Sequence, residues 1–129
     1  KVVEFVKTGR PFAAICHGPI VLARSIDKAT GKSVLAGRRT ACLPAYMERT
    51  AYWLSAWKLG KYYRTYDAYV EEEIRAVGAE YVRGPLELTK RGTRTDDGPA
   101  FAVVDGNYVS ARWPGDAYLF AKKLLEVLG

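Results

Sequence analysis

A cysteine followed directly by histidine and glycine, Cys16-His17-Gly18, closes the apolar run Phe12-Ala13-Ala14-Ile15 and opens onto Pro19. A thiolate attacks electrophilic carbon, an imidazole carries its proton, and a neighbouring backbone N–H receives the charge that moves onto the attacked oxygen. These groups fall where a strand must turn at once into a helix. Phe12, Ala13, Ala14 and Ile15 read as a buried strand, and 19–26 as a helix with proline at its first position. Small residues at Ala14 and Gly18 let strand and helix approach closely, the layout of a nucleophile elbow centred on Cys16. A helix N-terminus there offers unpaired N–H groups and partial positive charge, which lowers a thiol pKa.

Cys16 is therefore the candidate nucleophile and His17 its base or orienting group, with the backbone at His17 and Gly18 as the oxyanion site. His17 is the only histidine of the chain, so an imidazole supplied from within it must be this one. Cys42, in Arg39-Thr40-Ala41-Cys42-Leu43, has neither a glycine nor a helix start beside it and reads as core. A third group to orient the imidazole is less clearly marked. Glu48, the first acid after the strand that follows the elbow, is the candidate, with a group from another subunit or from chain preceding Lys1 as the alternative. One histidine and two separated cysteines make no zinc spacing, and no metal or cofactor is expected.

The segment Ala14-Ile15-Cys16-His17-Gly18-Pro19 resembles the nucleophile region of the DJ-1/ThiJ/PfpI superfamily, which has the class I glutamine amidotransferase-like fold. Val34-Leu35-Ala36-Gly37-Arg38-Arg39-Thr40 resembles that family's turn into the next strand. Asp105-Gly106-Asn107-Tyr108-Val109-Ser110-Ala111-Arg112 resembles its closing hairpin, and a last helix follows. The three segments occur in the family's order. The resemblance implies one α/β domain over 1–129, flavodoxin-like or Rossmann-type, with a mainly parallel sheet and flanking helices. It also implies that this is the C-terminal portion of the domain, lacking the N-terminal βα units. In the family those units supply a glutamate that contacts the cysteine and a glycine that completes the oxyanion hole.

The activity implied is cysteine chemistry on a small carbonyl or amide: amide or peptide hydrolysis, or glyoxalase/deglycase-like chemistry on α-oxoaldehydes and their adducts. The rival is a non-enzymatic stress or redox protein in which Cys16 is oxidised as a sensor. Glutamine amidotransferase activity proper fits less well, because those enzymes place their histidine and glutamate far downstream of the cysteine.

The elements that must position the site follow from periodicity. Apolar Val2, Val3, Phe5 and Val6 suit a short helix ended by Gly9; 40–43 reads as a strand closed by Pro44; 48–59 and 67–77 read as helices stopped by Gly60 and Gly78. The stretch 46–69, an aromatic-rich helical insertion, holds Trp53 and Trp57 four residues apart and tyrosines 46, 52, 62, 63, 66 and 69. Such a density suits an interface or lid better than plain core. The stretch 89–99 is a loop; 100–104 and 108–111 flank a hairpin turn; Asp116 suits the N-cap of a terminal amphipathic helix.

The 20 Lys and Arg against 14 Asp and Glu leave a formal charge of +6. They are spread thinly, Arg64 among them, and Lys90, Arg91 and Arg94 are followed at once by Asp96 and Asp97. A solvated basic surface is expected, with no nucleic acid and no membrane partner. Two cysteines make no disulfide framework, so a cytoplasmic location is the default. A small carbonyl, amide or peptide substrate and a homo-oligomer are the expected partners.

Overall fold

The computed structural model describes residues 1–62, 66–87 and 89–129; Tyr63 and Arg64, named above, lie outside the described residues. Helix α1 (Val2–Lys7) leads into strand β1 (Phe12–Ile15), which turns through Cys16-His17-Gly18 into α2 (Pro19–Ala23). A hairpin of β2 (Ile26–Asp27) and β3 (Lys32–Ser33) follows, then β4 (Arg39–Thr40), α3 (Ala45–Leu59), α4 (Val70–Ala76) and β5 (Glu80–Tyr81). Strands β6 (Ala102–Asp105) and β7 (Tyr108–Ala111), a 3-10 turn (Pro114–Asp116) and α5 (Ala117–Leu128) complete the order.

The architecture is α/β with a parallel-containing sheet and flanking helices. β7 lies between β1, which runs parallel to it with Phe12 opposite Tyr108 and Ile15 opposite Ala111, and antiparallel β6. β4 pairs in parallel with β5. Side chains stitch the two sheets together: Asp105 accepts the Arg39 N–H at 3.1 Å, Ser110 Oγ accepts the Ala41 N–H at 2.9 Å, and Thr40 meets the Tyr108 hydroxyl at 2.9 Å. Ile20, Ala23, Leu35, Cys42, Val70, Ile74 and Tyr108 form the core where α2 and α4 cover these strands. Arg24 at the end of α2 grips Glu73 of α4 through two hydrogen bonds of 2.9 and 2.7 Å.

Several elements are shorter than their apolar pattern predicts. α2 stops at Ala23, not at 26, because Ile26 pairs with Ser33 in the hairpin and the Ser25 carbonyl accepts the Val34 N–H at 3.0 Å. Of 40–43 only Thr40 is in a strand. Beyond it the Leu43 N–H is taken by the Cys16 carbonyl at 3.0 Å, so the segment leaves the sheet to brace the elbow. α4 begins at Val70, not 67, where Glu72 accepts the Tyr69 N–H at 3.0 Å and Glu48 the Val70 N–H at 3.1 Å.

Asp116 is not a side-chain N-cap. Its carboxylate is wholly buried and accepts the Phe101 N–H, the Arg112 N–H and the Arg112 guanidinium, a stronger demand than a cap. Among the described residues of the aromatic stretch, α3 alone is helical, and it ends at Leu59. Trp53 and Trp57 are 78% and 83% exposed, which removes the reading of that stripe as plain core.

Candidate active site

Cys16 sits at φ +63°, the single non-glycine residue with positive φ among those described. A side chain in that left-handed region costs about 1–2 kcal/mol, and the surrounding hydrogen bonds hold it there. The Cys16 N–H continues the β1–β7 ladder to the Ala111 carbonyl at 3.1 Å, while its own carbonyl accepts the Leu43 N–H. The close approach expected at Gly18 is present. A Cβ there would lie 3.0 Å from the Ile15 carbonyl oxygen and 3.4 Å from the Ala14 Cβ.

The Gly18 N–H, expected as an oxyanion donor, instead donates to the Ile15 carbonyl at 2.9 Å, closing the elbow turn. The His17 N–H makes no backbone hydrogen bond among the described residues. At five residues, α2 is too short to supply the full macrodipole expected there. The positive charge comes instead from the imidazole.

His17 Nδ1 is 3.5 Å from Cys16 Sγ, and Nε2 is 3.8 Å from Glu48 Oε1, an ion-pair contact rather than a hydrogen bond. The contact with Cys16 first, and that with Glu48 second, raise the His17 pKa to about 10 against the opposing effect of burial. At neutral pH the ring thus carries a proton on each nitrogen. It has a proton to give, where the sequence left it as base or orienting group. Glu48 is almost fully buried, and its other oxygen is committed to the Val70 N–H, so the carboxylate is fixed between α3 and α4. Cys42 is wholly buried, and burial above all, with Glu71 and Glu48 nearby, pushes its thiol far up.

A cavity of about 300 Å³ opens beside Cys16, His17 and Glu48, walled by Leu43, Met47, Ala51, Trp113 and Pro114. The sequence did not single out these walls. Met47 and Ala51 flank Glu48 on one helical face, a spacing that could have found them. Trp113-Pro114 reads in sequence only as a chain break. Among the described residues no group of three or more His, Cys, Asp or Glu is placed to hold a metal ion. Among the described residues no helix is long and apolar enough to cross a membrane.

An elbow cysteine with a histidine at its side, on an α/β sheet of this order, defines a class. The profile of the DJ-1/PfpI family matches residues 1–127, and the chain belongs to that family. It is similar to a deglycase of Thermococcus kodakarensis, 26% identical over 125 residues, covering 97% of this chain and 47% of that protein. It is also similar to a deglycase of Pyrococcus abyssi, 26% identical over 132 residues, covering 99% and 51%. The solved structure of glyoxalase III from Candida albicans shares the fold at a TM-score of 0.68 and 21% identity, covering 96% of this chain and 46% of its own. The chain spans about half the length of the curated relatives it matches.

Proposed function

We propose that the chain carries the cysteine half-site of an enzyme acting on small reactive carbonyls, in the manner of a deglycase or glyoxalase. The observation that supports this most is the line Sγ–imidazole–carboxylate formed by Cys16, His17 and Glu48 beside a cavity large enough for a small molecule. The deglycase relatives point the same way. Cys16 Sγ adds to the aldehyde carbon of an α-oxoaldehyde. A C–S bond forms, the carbonyl π pair moves to oxygen, and that oxygen takes a proton from His17 to give a hemithioacetal. The His17 N–H faces the developing charge, and Glu48 keeps the imidazolium in place. The aldehyde hydrogen then moves to the adjacent carbon while the hemithioacetal hydroxyl gives its proton back to His17 and the ketone oxygen takes one from it, which leaves a 2-hydroxyacyl thioester. Water adds to that carbonyl, the C–S bond breaks, the 2-hydroxy acid leaves as its carboxylate, and its proton restores the Cys16–His17 pair.

Conversion of methylglyoxal to lactate, followed for the wild type and Cys16→Ser, tests the proposal. Loss of turnover in the variant is expected. Ready oxidation of Cys16 without any turnover in the wild type overturns it in favour of a redox sensor.

A further inference from the structure

We infer that the cavity beside Cys16 selects carbonyl compounds bearing a compact apolar or aromatic side group over those bearing a polar chain, with Trp113 as the wall that sets the preference. The inference rests on the proposal that Cys16 attacks a carbonyl, and it adds what the rest of that substrate looks like. The polar part of the lining is Cys16, His17 and Glu48, which touch one another; the remainder is Leu43, Met47, Ala51, Trp113 and Pro114. A ligand matching this division has its reactive group at one end and an apolar body at the other. The volume, about 300 Å³, leaves most of the space empty around a three-carbon α-oxoaldehyde and accommodates one with a phenyl group.

The Trp113 wall is fixed before any ligand arrives. Its ring lies directly on Gly115, where a Cβ would come within 2.3 Å of it, so a larger residue would displace the indole. Arg91 stacks on the ring at 5.3 Å. The backbone on either side is clamped: the Trp113 carbonyl accepts the Asp116 N–H and the Gly115 carbonyl the Gly92 N–H, both at 2.9 Å. A wall held this way exacts little ordering cost when a ligand packs against it, so apolar contact there converts into selectivity.

The test measures Cys16 alkylation by iodoacetamide and by N-benzyliodoacetamide, identified by peptide mass spectrometry and normalised to the rates for glutathione. The benzyl compound is expected to gain roughly tenfold or more after normalisation, the selectivity that one well-packed apolar group confers. Trp113→Ala should remove most of that gain, and Met47→Ala, which leaves the Gly115 seat intact, should remove part of it; circular dichroism checks that each variant is folded. A normalised ratio near one in the wild type overturns the inference. An undiminished ratio in folded Trp113→Ala overturns the role of Trp113.

Turnover of methylglyoxal and phenylglyoxal separates this from the catalytic proposal. Preferential labelling without turnover of either compound removes the catalytic reading and keeps the selective cavity. Equal turnover of both without preferential labelling does the reverse.

Discussion

Replacing Asp116 with alanine should damage this protein more than any comparable surface change, and the structure shows how much. Asp116 and Arg112 are both wholly buried. The carboxylate receives Arg112 Nε at 2.9 Å, Arg112 Nη2 at 2.8 Å, the Arg112 N–H at 3.1 Å and the Phe101 N–H at 2.9 Å. Without it the guanidinium keeps, among the described residues, only the Pro85 and Pro99 carbonyls as hydrogen-bond partners, beside the Phe101 ring, and two backbone donors are orphaned. Leaving one member of a buried pair uncompensated costs about 3–5 kcal/mol, against a total stability of about 5–15 kcal/mol for a domain. For a chain of this length that corresponds to a fall in Tm of about 10–20 °C. Asp116→Asn keeps the shape but places an N–H donor against the guanidinium, so it should recover little. Exchanging both partners for apolar residues, Arg112→Met with Asp116→Leu, should recover only the share due to the unpaired guanidinium, because the Phe101 and Arg112 N–H groups stay without an acceptor. Urea unfolding followed by circular dichroism measures all three. A loss below about 1 kcal/mol for Asp116→Ala, the range of an exposed pair, would refute the reasoning.

The remaining expectations concern the elbow, the imidazole and the aromatic helix. Iodoacetamide should label Cys16 at least tenfold faster than wholly buried Cys42 in native protein, and the reverse order under native conditions would contradict the assigned roles. Gly18→Ala forces a Cβ to within 3.0 Å of the Ile15 carbonyl oxygen, so it should cost about 1–3 kcal/mol in chemical unfolding and slow Cys16 labelling. Because there is one histidine, a single imidazole resonance reports its titration. Its midpoint should lie near 10 and fall in Glu48→Gln, and an unchanged midpoint would separate Glu48 from the site. An unfolded imidazole releases its proton near 6.5, so the stabilisation from the His17 contacts is full below that pH and is lost as pH rises through about 10; half-exposure of the ring keeps it small. Trp53→Ala with Trp57→Ala should leave the circular dichroism unchanged, because both rings are exposed, and should reduce self-association by light scattering; loss of fold would return them to the core.

What could be read from the chain in advance was the part fixed by local chemistry. Phe12-Ala13-Ala14-Ile15 ahead of Cys16-His17-Gly18-Pro19 dictates a strand, a tight turn and a helix start within eight positions, and the structure has all three, with Cys16 in the left-handed region at the turn. The longer-range features were legible only by kind. Helix 48–59 was expected, but that it turns Glu48 inward toward His17 and leaves Trp53 and Trp57 outside depends on where α4 and the elbow lie, which no periodicity specifies. The errors share one cause. Asp116 has the composition of a cap and Gly18 the position of an oxyanion donor, yet each is claimed by a partner from elsewhere in the fold or from the turn itself: the Arg112 guanidinium for one, the Ile15 carbonyl for the other. A polar group settles on its best partner in the folded chain, and a buried charge outbids a helix end by roughly the difference between 3–5 and about 1 kcal/mol. The same competition makes Glu48 informative. Its burial is tolerable because the Val70 N–H and the His17 imidazolium both satisfy it, so a residue marked in sequence only by its place after the elbow's next strand becomes a carboxylate fixed against the ring.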